Sequence, residues 1–127
     1  MERDVQRWVD LSSYDFETAE AMLRTGRYLY VLFCCQQALE KRLKGLAVLV
    51  TKTMPPKTHD LLRLISLARI ELDEKRELFL RRLTHYYIET RYPEEVNNLT
   101  ATASKELAES YFAQTGEAIK WLDSLLK

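Results

Sequence analysis

Four polar residues, Gln37, Glu40, Lys41 and Lys44, recur at i, i+3, i+4 and i+7 within an otherwise apolar stretch. On a helix that spacing places all four on one face. Such a stripe is either a solvated surface carrying a Glu40–Lys44 pair worth about 0.3–0.5 kcal/mol, or the half-buried wall of a groove with two ammonium groups able to meet phosphate. Continued backwards it reaches Tyr30 and Phe33. Asp15 sits at the edge of the apolar stripe of the preceding segment. A carboxylate there requires a partner, because an unpaired charge away from water is costly. It is expected either to make a structural ion pair with Lys or Arg or to orient the basic groups of a site.

A second constellation is Pro56-Lys57-Thr58-His59-Asp60-Leu61. Helix starts attract anions through free N–H groups and the macrodipole, and His59 is placed to donate to phosphate or to act as a general base. The plainer alternative is a histidine that satisfies a neighbouring backbone group. His85, between Arg82 and Tyr86, reads as structural or exposed. A third constellation is Tyr87 one turn before Arg91, followed by Tyr92 and Pro93. Arginine offers a planar fork for phosphate or carboxylate, and tyrosine offers a face for a base; equally, arginine caps a helix end there and tyrosine packs. A Ser–His–Asp set, a P-loop and an HExxH motif are all absent from the sequence. With two histidines, and two cysteines that are adjacent, neither a zinc site nor any other cofactor is expected.

The elements that must carry these residues are helical. Val5, Trp8, Ser12, Phe16, Ala19 and Leu23 recur at three- and four-residue steps and predict a first helix over about Arg3–Arg24, broken by Gly26. The most apolar segment, about Tyr28–Val50, is the expected central helix. Pro55-Pro56 forms a rigid connector. Thr58 reads as the N-cap of a short third helix from His59 to about Leu72. A fourth helix is expected over about Glu74–Thr90, ended by Pro93, then a polar loop over Tyr92–Ala103. A last helix is expected over about Ser104–Leu126, with Gly116 inside it at a cost of about 1 kcal/mol against alanine. The expected architecture is all-α: one domain over residues 1–127, an up-and-down antiparallel bundle of four long helices and one short one.

Composition narrows the function classes. The chain has 127 residues, 46% apolar and 30% charged, so it buries an ordinary core and is not disordered. Nineteen basic residues balance nineteen acidic ones, which argues against a dominant electrostatic grip on a long nucleic acid and leaves room for a local phosphate contact. Three glycines are too few for a Gly-rich phosphate loop or a dinucleotide-binding turn. Cys34 and Cys35 are neighbours, so a bridge between them would be strained, and the cysteine usage fits a reducing cytoplasm. The longest apolar run, Tyr28–Cys35, is far short of a membrane span, and the opening Met1-Glu2-Arg3-Asp4 does not read as a signal peptide.

Taken in order, Asp15-Phe16-x-x-Ala19, Gly26-Arg27-Tyr28, Gln36-Gln37-Ala38-Leu39-Glu40-Lys41 with Lys44, Pro56-x-Thr58-His59-Asp60-Leu61 and Arg91-Tyr92-Pro93 resemble the HEPN domain family over nearly the whole chain, from about Trp8 to Trp121. The resemblance implies an up-and-down helical bundle, homodimers, a nucleotide-binding role, and for many small stand-alone members a neighbouring minimal nucleotidyltransferase in a toxin–antitoxin pair. Many relatives are metal-independent endoribonucleases with an Arg-x4–6-His motif. This sequence departs from that motif: no histidine follows Arg91 in Tyr92–Thr102, and Arg81 and Arg82 stand too close to His85. The expectation is therefore a binding module rather than an enzyme. Lys41, Lys44, His59 and Arg91 would converge on the phosphate of a nucleotide or RNA, with Tyr87 or Tyr92 as an aromatic face and Asp15, Gln37, Glu40 and Asp60 in support. A ribonuclease toxin and a non-catalytic structural partner protein are the alternatives.

Overall fold

A computed structural model describes residues 2–89, 92, 94 and 103–126. Its helices are α1 (Arg3–Arg24), α2 (Tyr28–Thr51), α3 (Leu61–Leu67), α4 (Glu74–Glu89) and α5 (Lys105–Leu125), and no strand occurs among the described residues. The fold is the all-α bundle expected. No helix among the described residues is long and apolar enough to cross a membrane.

Helix α2 is the axis of the bundle. It touches α1, α3, α4 and α5, whereas among the described residues α1 meets only α2 and α5. The apolar positions of α2 dictate this: Val31, Leu32, Cys35, Ala38, Leu39 and Leu43 are all fully buried and point in several directions around the helix. Burying a leucine of this kind contributes roughly 1.5–3 kcal/mol. The α1–α2 contact is close because Gly45 has no side chain; a Cβ there would lie 3.3 Å from Trp8 Cβ and 3.5 Å from the Val5 carbonyl oxygen. Gly116 is not required in the same way. A Cβ there would only touch the Phe16 ring at 3.4 Å, and that ring stacks on Phe112 at 4.6 Å.

The helix ends explain where prediction and structure part. Gly26 at φ 78° terminates α1, with Arg27 N–H donating back to the Met22 carbonyl at 2.8 Å. The third helix is shorter than expected. Its N-cap is Asp60, whose carboxylate accepts from Leu62 N–H at 3.1 Å, and not Thr58. Thr58 instead accepts from Asp60 N–H, forming the turn that precedes the cap. An ionised acceptor complements a helix start better than a hydroxyl. At the other end Arg69 adopts φ 55°, and Ile70 N–H donates to the Ile65 carbonyl at 3.1 Å, so the helix stops at Leu67 rather than near Leu72. Arg91, Pro93 and most of the expected Tyr92–Ala103 loop lie outside the described residues.

Candidate functional site

The polar stripe of α2 is not a solvated face. Glu40 is 3% exposed and Lys44 8%. Glu40 is the hub: one carboxylate oxygen accepts from the Lys44 ammonium at 3.1 Å, and the other lies 2.7 Å from His59 Nδ1. A carboxylate already paired with an ammonium can only accept, so Nδ1 carries the ring proton. The second ring nitrogen, Nε2, is then an acceptor in the neutral imidazole and a donor when the ring is charged.

Backbone and side-chain contacts fix the histidine. Gln36, fully buried, donates to the His59 carbonyl oxygen at 2.8 Å and approaches Glu40 at 3.3 Å. Gln37 donates to the Gln36 amide oxygen at 2.9 Å, extending the network by one member. From α4, the Thr84 hydroxyl accepts from Leu61 N–H, tying the start of α3 to the wall opposite. The Lys44 ammonium also sits 5.5 Å from the centre of the Trp8 ring. Two helices and the lead-in to a third thus hold one imidazole.

That imidazole opens on a cleft of about 460 Å³ between the start of α3 and α4, lined by His59, Asp60, Leu62, Arg81, Thr84, Tyr87 and Ile88. The His59 side chain is 45% exposed. Arg81 lines the cleft from α4, its guanidinium donating to Glu77 at 3.1 Å on the same helix. Tyr87 is buried. Its ring packs on His59 at 4.8 Å and on Phe33 at 5.1 Å, so it supports the imidazole from within.

The structure gathers Glu40, Lys44, His59, Asp60 and Tyr87, with Gln37 attached through Gln36. Lys41 turns the other way and pairs with Asp15 on α1, which answers the need of that carboxylate for a cation. Tyr92 is exposed, and Arg91 lies outside the described residues. His85 is exposed beside Tyr86, as its sequence context suggested. No cluster able to hold a metal ion occurs among the described residues.

Three polar residues were missed from sequence, two of them at the site and Arg42 elsewhere in the bundle. Gln36 and Arg42 occupy core-facing positions of α2, one turn from Leu32, Leu39 and Leu46. A polar group there signals a buried partner. Arg42 has one: its guanidinium grips Asp123 of α5 with two bonds of 2.9 Å and also reaches the Ser13 hydroxyl. Arg81 had no such signal, because only the folded pair α3–α4 brings it beside His59.

The two thiols of α2 hold their protons more tightly than an ordinary cysteine. Burial, and then the Asp15 charge, push Cys34 up to about 11, against a smaller opposing pull from Lys41. Burial raises Cys35 to about 12.

The HEPN domain family matches residues 5–125. Among solved structures, TT1696 from Thermus thermophilus has the same fold, with a TM-score of 0.80 at 21% identity, covering 97% of this chain and 98% of that one. No curated protein sequence matches. The chain belongs to the HEPN domain family, a family of nucleotide- and RNA-associated modules.

Proposed function

Taking that membership as the premise, we propose that this chain is a cytoplasmic binding module for the phosphate of a nucleotide or RNA. We further propose that it acts as a homodimer beside a separately encoded minimal nucleotidyltransferase in a two-component, toxin–antitoxin-like system. One observation carries the ligand half: His59, clamped by the buried Glu40–Lys44 pair, faces an open cleft that also holds Arg81. A clamped ring reaches a phosphate oxygen without first losing its rotational freedom. A guanidinium beside it adds charge-assisted bonds. Lys44 acts through Glu40 in this reading, and Lys41 through Asp15. Arg91, Tyr92 and Tyr87 complete the set of candidates, and no cofactor is involved.

Calorimetric titration of ATP, GTP and a short 5′-phosphorylated RNA tests the proposal. A hydrogen bond to a charged group contributes about 1.5–3 kcal/mol, so His59→Ala and Arg81→Ala should each weaken binding by roughly tenfold or more. Equal affinity in all three proteins, or no binding to any, removes the ligand half. The second outcome would favour the structural-partner reading.

The Glu40–His59 contact also supports a second reading, a metal-independent endoribonuclease. The carboxylate fixes the tautomer that leaves Nε2 as a base facing the cleft. That reading expects RNA cleavage in EDTA that stops with His59→Ala. Cleavage that survives the change would place the activity elsewhere.

A further inference from the structure

A row of aromatic rings leads out of the His59 cleft. Tyr87 lines the cleft and packs on His59 at 4.8 Å. Phe33 stacks on Tyr87 at 5.1 Å, with 26° between the ring planes. Tyr30 then meets Phe33 at 6.5 Å and 76°. From Tyr87 the row opens outward: Tyr87 is buried, Phe33 half-buried and Tyr30 54% exposed. Tyr87 thus has no open face to offer a ligand, whereas Tyr30 has.

Tyr30, Phe33 and Gln37 share one face of α2 at i, i+3 and i+7. On one side Phe33 leans on α4 through Tyr87; on the other Lys41, one turn beyond Gln37, pairs with Asp15 of α1. Helices α1 and α4 do not meet among the described residues, so this strip of α2 is the floor of an open seam between them. Its chemistry suits a flat, uncharged group. Two rings near a right angle make a corner, where a π-system lies on one face and meets the edge of the other. One N–H of the Gln37 amide donates to Gln36 at 2.9 Å. Its second N–H and its oxygen have no partner among the described residues, a donor–acceptor pair that a base edge can match. Two rings are too small a patch for a protein partner, which covers about 800 Å² a side. We propose that Tyr30 and Phe33 are a base platform. An unpaired nucleobase stacks on Tyr30 against Phe33, with Gln37 at its edge, while His59 and Arg81 hold a phosphate of the same molecule. The ligand class is then a nucleotide or single-stranded RNA, and not a bare phosphate compound.

This inference rests on the phosphate reading of the cleft and adds the part that recognises the base. Calorimetric titration of ATP, inorganic triphosphate and a short 5′-phosphorylated single-stranded RNA separates the two. Tyr30→Ala should weaken ATP and the RNA at least about fivefold, and leave triphosphate binding unchanged. Its circular dichroism spectrum should match wild type because the ring is exposed. Tyr30→Phe, which keeps the ring, should bind all three as wild type does. A 2-aminopurine base in the RNA should lose emission on binding to wild type and Tyr30→Phe, and keep it on Tyr30→Ala. Equal affinity of wild type and Tyr30→Ala for ATP and the RNA overturns the platform and leaves the phosphate reading standing. Loss of triphosphate binding in Tyr30→Ala means that the ring only supports the cleft, which also overturns it. A wild type that binds none of the three removes the phosphate reading, and the platform with it.

Discussion

Glu40 is held on both oxygens, and that decides what His59 can do. A carboxylate 4% exposed in its side chain has left water, so its desolvation must be met by the Lys44 ammonium and the imidazole N–H. Removing one partner of such a pair costs roughly 3–5 kcal/mol, because the other charge is left buried and alone. Glu40→Gln should therefore lower unfolding free energy by about that amount in a urea titration. Adding Lys44→Met should recover much of the loss, since an apolar replacement of the whole pair is tolerated far better than half of it. If Glu40→Gln unfolds at the wild-type urea concentration, the pair is not the hub described here. At this scale the sequence was partly legible. The spacing of Gln37, Glu40, Lys41 and Lys44 announced a common face, but not that Lys41 turns to Asp15 while Lys44 turns to Glu40. Those choices follow from which neighbouring helix lies on each side, and spacing within one helix carries no record of that. Arg81 was passed over for the same reason.

The short element α3 sets the angle at which His59 enters the cleft. Seven residues are too few for a helix to persist by itself. Three contacts hold its start: the Asp60 cap, the Thr84 hydroxyl on Leu61 N–H, and the Gln36 amide on the His59 carbonyl. Asp60→Ala should cost about 1 kcal/mol of stability. It should also raise backbone amide exchange selectively at Leu61 and Leu62, next to the histidine. Uniform loss across all helices would mean that the cap serves only global stability. The α5 end is secured differently. Arg42 joins α2 to Asp123 of α5 and to Ser13 of α1, three helices on one guanidinium. Periodicity revealed the helices and their apolar faces because it is a property of one segment at a time. It misplaced the cap at Thr58 and ran α3 on to Leu72, because a left-handed Arg69 is a tertiary choice that residue type does not announce.

For the molecule as a whole, zero net charge and a cleft with one free-standing imidazole edge and one guanidinium predict a modest grip. Few phosphates can be neutralised there, so affinity for RNA should fall only weakly with added salt; the slope is about −0.7 per contacted phosphate for single strands. The half-buried Cys34 and the buried Cys35 give the fold an alkaline limit. Both Cys34 and Cys35 hold their protons more tightly folded than unfolded, with values of about 11 and 12 against an ordinary value of 9.0. Tyr111 is displaced upward too, chiefly by burial. The unfolded chain therefore loses protons first. The stabilisation is complete below pH 9 and declines as pH rises from there toward the folded values. Urea midpoints measured at successive pH values should be level across neutrality and fall above pH 9, and Cys35→Ala should flatten part of that fall.

The central claim is that α2 holds His59 through Nδ1–H, and that Nε2, protonated as phosphate enters the cleft, donates to it. Long-range proton–nitrogen NMR of the His59 ring reads both nitrogens directly, with and without ATP or 5′-phosphorylated RNA. The account predicts an Nδ1–H signal in the free protein and a shift centred on Nε2 as ligand is added. A free ring carrying its proton on Nε2, or one whose nitrogens stay unmoved while ligand binds, would contradict it.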